Sequence, residues 1–231
     1  MLDAHIVKRR PAFTIDAALT VADGEARGLF GASGAGKSTL LSCIAGTETQ
    51  DDGHVKLDGE TFFPPPLPLH QRKIGYLTQD ANLFPHLSVS DNVGFGLRNG
   101  SARDSRWIGE LRERLDIGDI WSVPARAISG GQARRVALAR MLAPKPRLVL
   151  LDEPFTGLDR RLIRELIRAV ADWQRALGFA MIVVDHKVDI LERLCPRTIV
   201  LEGGRIVADA DWADLHARPS TPLLADLLAP L

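Results

Sequence analysis

Along the chain the apolar positions recur with a period of two in some stretches and near 3.6 in others, and the switches lay out the elements. Over 5–21 a broken alternation places Phe13, Ile15, Ala17 and Leu19 on one side and predicts a half-buried antiparallel strand. Asp23-Gly24-Glu25 turns the chain into a buried strand ending at Leu29 and Phe30, and 38–45 is compatible with a helix. Asp51-Asp52-Gly53 marks a turn, Val55 and Leu57 alternate, and Asp58-Gly59 is a hairpin signal, so an antiparallel sheet is expected beside this helix. Pro64, Pro65, Pro66 and Pro68 predict a stiff connection to a strand over 73–78, followed by a glycine-interrupted, helix-prone stretch to about Leu97. Between Asp104 and Leu115, Trp107, Ile108, Leu111 and Leu115 fall at helical spacing with charges on the other face.

The second half alternates the two periods more cleanly. Ser129 is an N-cap candidate for a helix running through Val136, Leu138 and Leu142 to Pro144. Leu148-Val149-Leu150-Leu151 then runs into Asp152 and Glu153, the pattern of a central parallel strand whose end faces a ligand. A helix follows with Leu162, Ile163, Leu166, Ile167, Val170 and Trp173 inward, and Arg160, Arg161, Arg164 and Arg168 outward as a solvated face. Strands over 179–184, 198–201 and around Ile206 and Val207 complete the pattern, with a short helix over 187–194. From Thr221, Pro222 with Leu223, Leu224, Leu227 and Leu228 predicts a small packed helix.

Composition narrows the function classes. The chain has 231 residues, 45% of them hydrophobic, enough for one sizeable α/β domain. Lys plus Arg and Asp plus Glu each total 29, so no bulk field draws it to nucleic acid or an anionic membrane. Cys43 and Cys195 fit no metal-ligand spacing and suit a reducing cytoplasm. Residues 1–10 lack the apolar region of a signal peptide, and no apolar run approaches the ~20 residues of a spanning helix.

The chemistry concentrates in Gly31-Ala32-Ser33-Gly34-Ala35-Gly36-Lys37-Ser38, a G-x-x-x-x-G-K-S loop between a buried strand and a helix. Its glycines let backbone N–H groups converge on an anion and the helix start adds its positive dipole end. Lys37 reaches outer phosphates, and Ser38 can ligate Mg²⁺. The implied ligand is a nucleoside triphosphate with magnesium. Asp152 can hold that ion, and Glu153 can polarise the water that attacks a γ-phosphate. Ser129-Gly130-Gly131 offers a second helix start with close-approach glycines, hence a second phosphate grip in one chain.

In this order these motifs resemble the ATP-binding cassette family over nearly the whole chain. Gly31–Ser38 is similar to its Walker A loop, Gln79 to its Q-loop glutamine, and Ile128-Ser129-Gly130-Gly131-Gln132 to its signature sequence. Leu148–Asp152 resembles Walker B with Glu153 as catalytic glutamate. Thr156-Gly157-Leu158-Asp159 resembles the D-loop, and His186 the switch histidine. The resemblance implies an α/β fold with a P-loop NTPase (RecA-like) core, a flanking antiparallel β-subdomain and an inserted helical subdomain. One nucleotide-binding domain is expected over 1–231, with 1–80 and 147–231 as core and 81–146 as the helical part. It further implies catalytic roles for Glu153, His186 and Gln79, and Mg²⁺ contacts from Ser38, Gln79 and Asp152. ATP contacts are implied for 31–38, Thr39, Ser129–Gln132 and Asp159, in a head-to-tail homodimer with each ATP between Walker A of one subunit and the signature of the other.

Three departures stand out: Ile128 replaces the usual leucine, the first strand lacks a clear aromatic for the adenine, and the chain stops near the end of the cassette. Phe13 falls on the core-facing alternation and Lys8, Arg9 and Arg10 occupy the neighbourhood, so stacking on the base is expected from one of those basic side chains, from Phe13 if the strand bulges, or from little at all, and base selectivity is expected to be weak. No regulatory domain in cis is expected. The phrases 30–37 and Leu83-Phe84-Pro85-His86 look most like ATPases of molybdate-type oxyanion importers, with thiamine importers second. Such a protein is a peripheral subunit on the inner face of the cell membrane, driving an integral-membrane permease alongside an extracytoplasmic substrate-binding protein. Leu83, Phe84, Pro85 and Leu87 are expected to form the permease-facing groove. The alternative, a nucleic-acid-associated cassette of repair or translation type, expects long coiled coils or two cassettes, and a small P-loop kinase leaves Ser129–Gln132 and His186 unexplained.

Overall fold

In the computed structural model, which describes residues 1–97, 106–219, 221, 224, 225 and 228, the broken alternation over 5–21 is two strands and not one. β1 (Leu2–Arg9) and β2 (Thr14–Val21) pair antiparallel from Leu2 opposite Val21 to Arg9 opposite Thr14. The break comes at Pro11, which has no N–H to give a ladder, and the Arg10 N–H closes the turn on the Phe13 carbonyl at 2.8 Å. Leu2, Ala4 and Ile6 on one strand and Ile15, Ala17, Leu19 and Val21 on the other form the buried face. Phe13, read from the alternation as a core position, sits in the turn, half-buried against the same core.

The expected turn at 51–53 is also corrected: Asp52 and Gly53 already belong to β4 (Asp52–Leu57), opposite Val7 and Ile6 of β1. Gly53 has φ +94°, and a Cβ there would lie 2.0 Å from the His5 carbonyl oxygen, so only glycine lets the strands approach. β5 (Glu60–Phe63) extends this antiparallel layer.

The other strands are β3 (Ala26–Phe30), β6 (Ile74–Leu77), β7 (Leu148–Asp152), β8 (Ala180–Val184), β9 (Arg197–Glu202) and β10 (Arg205–Asp211). Among the described residues all ten form one mixed sheet in the order β5-β4-β1-β2-β10-β9-β3-β8-β7-β6. The run β9-β3-β8-β7-β6 is parallel. β3, β7 and β8 are buried at every position, as strands covered on both faces must be. Alternate side chains go to opposite faces. Leu29, Leu148, Leu150 and Ile182 pack with α1 (Lys37–Ala45) and the antiparallel layer. Phe30, Val149, Leu151 and Met181 pack with the remaining helices.

Those helices are α2 (Val89–Gly94), α3 (Arg106–Arg114), α4 (Gly130–Leu142), α5 (Arg160–Leu177), α6 (Val188–Leu194) and α7 (Trp212–Ala217). Val93, Leu111 and Val136 of the middle segment share one apolar cluster with β7 and β8. Residue 104, where the α3 pattern was expected to begin, lies outside the described residues, as do Pro222, Leu223 and Leu227 of the expected C-terminal helix. Leu224 is buried, and its N–H donates to the Thr221 hydroxyl. Both cysteines are buried free thiols, and burial pushes Cys43 up to about 11. No helix among the described residues is long and apolar enough to cross a membrane.

Candidate nucleotide site

The site is built where the parallel strands end. β3 delivers the chain into the loop 31–36, and Gly31 makes the passage possible: at φ +150° a Cβ would stand 2.1 Å from the Leu201 carbonyl oxygen of β9. Gly36, also at positive φ, precedes α1, and among the described residues no side chain caps that helix start. Its first-turn N–H groups are therefore available to an anion. Lys37 is buried, and its ammonium donates to the carbonyls of Gly31 and Ala32, both at 2.8 Å. Burial pulls its pKa down, and the charges of Asp152 and Glu153 oppose that shift.

A cavity of about 620 Å³ opens over this loop. Ser33, Gly34, Gly36, Lys37, Ser38 and Thr39 form one wall, and Gln79, Glu153 and His186 stand at another. Gly31 and Ala35 are buried behind the loop, and Ala32 is half-buried. Gln79, Glu153 and His186 follow β6, β7 and β8, which are adjacent and parallel, so their C-terminal ends share one edge. The Glu153 carboxylate lies 2.6 Å from His186 Nε2 and accepts from Gln79 Nε2 at 3.4 Å and Thr156 Oγ1 at 3.3 Å. Its backbone adopts φ +48°, a left-handed conformation uncommon outside glycine, while its N–H donates to the Val184 carbonyl at 2.9 Å. Asp152 is buried beneath. Burial raises its pKa, and a hydrogen bond from Ser38 works against that rise.

Ser38 and Asp152 thus put two hard oxygen donors together, the set that suits Mg²⁺ completed by phosphate oxygens and water. Among the described residues no cluster of three or more His, Cys, Asp or Glu can hold a metal by itself, so the fit depends on a phosphate ligand.

Ser129, Gly130, Gly131, Gln132 and Asp159 do not line this cavity. Ser129 and Gln132 close a reciprocal capping box on α4, with Ser129 N–H donating to Gln132 Oε1 at 2.8 Å. Gly130 is exposed, and a Cβ there would meet no atom of the described residues within 4 Å. The Asp159 carboxylate accepts from the N–H groups of Arg161 and Leu162 and caps α5; those bonds hold its pKa down.

Of two residues here, a reading of the sequence leaves the first open among several and misses the second. Phe13, in the turn that follows Pro11, packs on the core and also lines the cavity beside Arg10, Pro11 and Ala12; the proline interrupting the alternation is the signal. Of the three basic residues expected near the base, only Arg10 reaches the cavity, and it is held by Glu48 at 2.7 Å and Thr39 at 3.0 Å. Lys8 is drawn to the Thr49 carbonyl and Asp51. The second is Arg134 of α4, buried against the ends of β6 and β7.

Outside the cavity, the Phe84 ring lies 4.2 Å from that of Phe95, and the Arg140 guanidinium stands over it at 5.5 Å. Phe95 is 60% exposed. Leu83 packs on the helical core, Leu87 is half-buried and Pro85 is exposed.

A sequence profile described as "ABC transporter" matches residues 15–156. The chain is 40% identical over 222 residues to the thiamine import ATP-binding protein of Jannaschia sp. (strain CCS1), covering 95% of this chain and 96% of that one. It is 39% identical to the Fe(3+) ions import ATP-binding protein of Mesorhizobium japonicum and 36% to the molybdenum import ATP-binding protein of Rhodobacter capsulatus. These cover 91% and 97% of this chain, which spans 59% and 62% of theirs. Among solved structures, an ATP-binding subunit of an ABC transporter superposes with TM-score 0.84 at 23% identity, over 98% of this chain and 97% of its own, and shares the fold. The dimeric post-hydrolysis cassette MJ0796, bound to ADP and Pi, superposes with TM-score 0.80 at 25% identity, over 91% and 98%. The chain belongs to the ABC transporter family, as one of its ATPase cassettes.

Proposed function

We propose that this cassette is the energy-supplying subunit of an importer, held at the inner face of the membrane by a separate permease, in a system with an extracytoplasmic substrate-binding protein. The observation that carries the reading is the convergence of Gln79, Glu153 and His186 on the cavity that the loop 31–39 walls. Backbone N–H groups of the loop and the start of α1 hold the phosphates, and Lys37 exchanges its carbonyl partners for phosphate oxygens. Ser38, Asp152 and Gln79 would hold Mg²⁺, which would supply charge neutralisation at the phosphate oxygens. Glu153 accepts the proton of the attacking water, and His186, in contact with that carboxylate, holds it in place and faces the γ-phosphate. Phe13 stacks on the base.

Ser129, Gly130, Gly131 and Gln132 serve the ATP of a second copy, in a head-to-tail homodimer where Asp159 lies at the contact. The open space at Gly130 supports this, since close approach from outside is the use left for a missing Cβ. The surface at Phe84 and Phe95 faces the permease. Relatives named for thiamine, iron and molybdenum import share this cassette, so we assign cargo choice, molybdate-like or other, to the partner subunits.

The test is Glu153→Gln, which removes the proton acceptor and leaves the phosphate loop intact. ATP binding should persist, turnover should fall on the order of 10²–10³-fold, and an ATP-bound dimer should accumulate on size exclusion. Hydrolysis at the parental rate would remove Glu153 from this role.

A further inference from the structure

The guanidinium of Arg134 is buried, and all five of its N–H groups are used on backbone carbonyls. Nε donates to the Pro154 carbonyl at 2.9 Å. One terminal nitrogen donates to the carbonyls of Thr78 and, at 3.0 Å, Gln79; the other donates to those of Asp152 at 2.8 Å and Glu153 at 2.5 Å. The acceptors lie where β6 and β7 run out, and Arg134 spans both strand ends from α4. Two of them belong to Gln79 and Glu153, and Glu153 is held at positive φ.

Arg134 also stands five residues beyond Ser129, roughly 7.5 Å along the axis of a continuous helix whose start the capping box closes. A shift of that helix start carries the guanidinium with it, and the five bonds carry the shift into the backbone of Gln79 and Glu153. We propose that Arg134 is a positioning residue that ties the Ser129–Gly131 phosphate grip to the Gln79 and Glu153 of its own subunit. Closure of the grip on the partner's ATP then aligns Glu153 for its own ATP. This inference rests on the proposed roles of Glu153 and of Ser129–Gly131. Lysine at 134 keeps the charge but has three donors and no planar fork, so it cannot serve five carbonyls at once.

The experiment compares Arg134→Lys and Arg134→Met in the full chain with Glu153→Gln, measuring melting temperature, nucleotide affinity, kcat and the Hill coefficient for ATP. Arg134→Lys should fold and bind nucleotide with parental affinity, because the loop 31–39 is untouched. Its kcat should fall between about ten- and a hundredfold, the cost of a slightly misplaced group. Its Hill coefficient should drop to 1 from a parental value between 1 and 2. Arg134→Met should lose more, and neither change should slow Glu153→Gln further, since both act through one carboxylate. A parental kcat and Hill coefficient in Arg134→Lys would overturn the proposal. So would a parental Hill coefficient of 1, a loss of kcat that merely follows nucleotide affinity, or failure of both variants to fold. Full activity in Glu153→Gln would instead overturn the functional reading on which the inference stands.

Discussion

Replacing Phe13 by alanine isolates the contribution of the base to nucleotide binding. The ring is backed by glycines: its Cε2 lies 3.3 Å from where a Gly36 Cβ would stand, and its Cδ2 3.0 Å from that of Gly204. It is therefore already placed toward the cavity, and little ordering cost offsets the stack. Base–aromatic stacking is worth ~1–3 kcal/mol on alanine substitution. At 1.4 kcal/mol per decade this predicts ATP binding weakened by about 5- to 150-fold. The ring is half-buried, so truncation should cost less stability than the ~3–5 kcal/mol of a fully buried phenylalanine, and the variant should fold. Titration calorimetry with ATP, GTP and inorganic tripolyphosphate separates base from phosphate. ATP and GTP should lose affinity together, because a ring face reads no base edge, while tripolyphosphate binding stays unchanged. An equal loss for tripolyphosphate would show that Phe13 only props the loop, and an unchanged ATP affinity would remove the stack altogether.

Two further outcomes follow from single positions. Gly130→Asp should melt with the parental protein, since the position is open and an acid suits a helix start, yet ATP-driven dimerisation should be lost; a normal dimer would refute the second grip. Asp152→Asn should stabilise the nucleotide-free protein at neutral pH by on the order of 1 kcal/mol, read as a higher melting temperature, and abolish magnesium-dependent turnover. Burial raises the Asp152 pKa above its unfolded value, so its contribution to stability is full below the unfolded pKa and is lost as pH rises through the folded one. The gain should accordingly vanish in acid, and a lower melting temperature at pH 7 would contradict the reasoning.

What the sequence determined by itself was local. The loop 31–38 is contiguous, and its glycines, lysine and serine carry their chemistry in their order. The caps at Ser129 and the inward and outward faces of α5 follow from spacing of three and four residues. Buried runs such as 148–151 announce parallel strands because both faces must be apolar. Where the alternation met Pro11, local reasoning failed, since whether an interrupted pattern is one strand or a hairpin depends on which partners its backbone finds. Gly53 reads as a turn because nothing local shows that the His5 carbonyl will press on its Cα. The meeting of Gln79, Glu153 and His186 is a consequence of strand order, β8-β7-β6, which only the packed sheet decides. Arg134 is the extreme case: on a helix its charge suggests solvent, and only the fold brings five backbone carbonyl groups from the ends of β6 and β7 around its guanidinium.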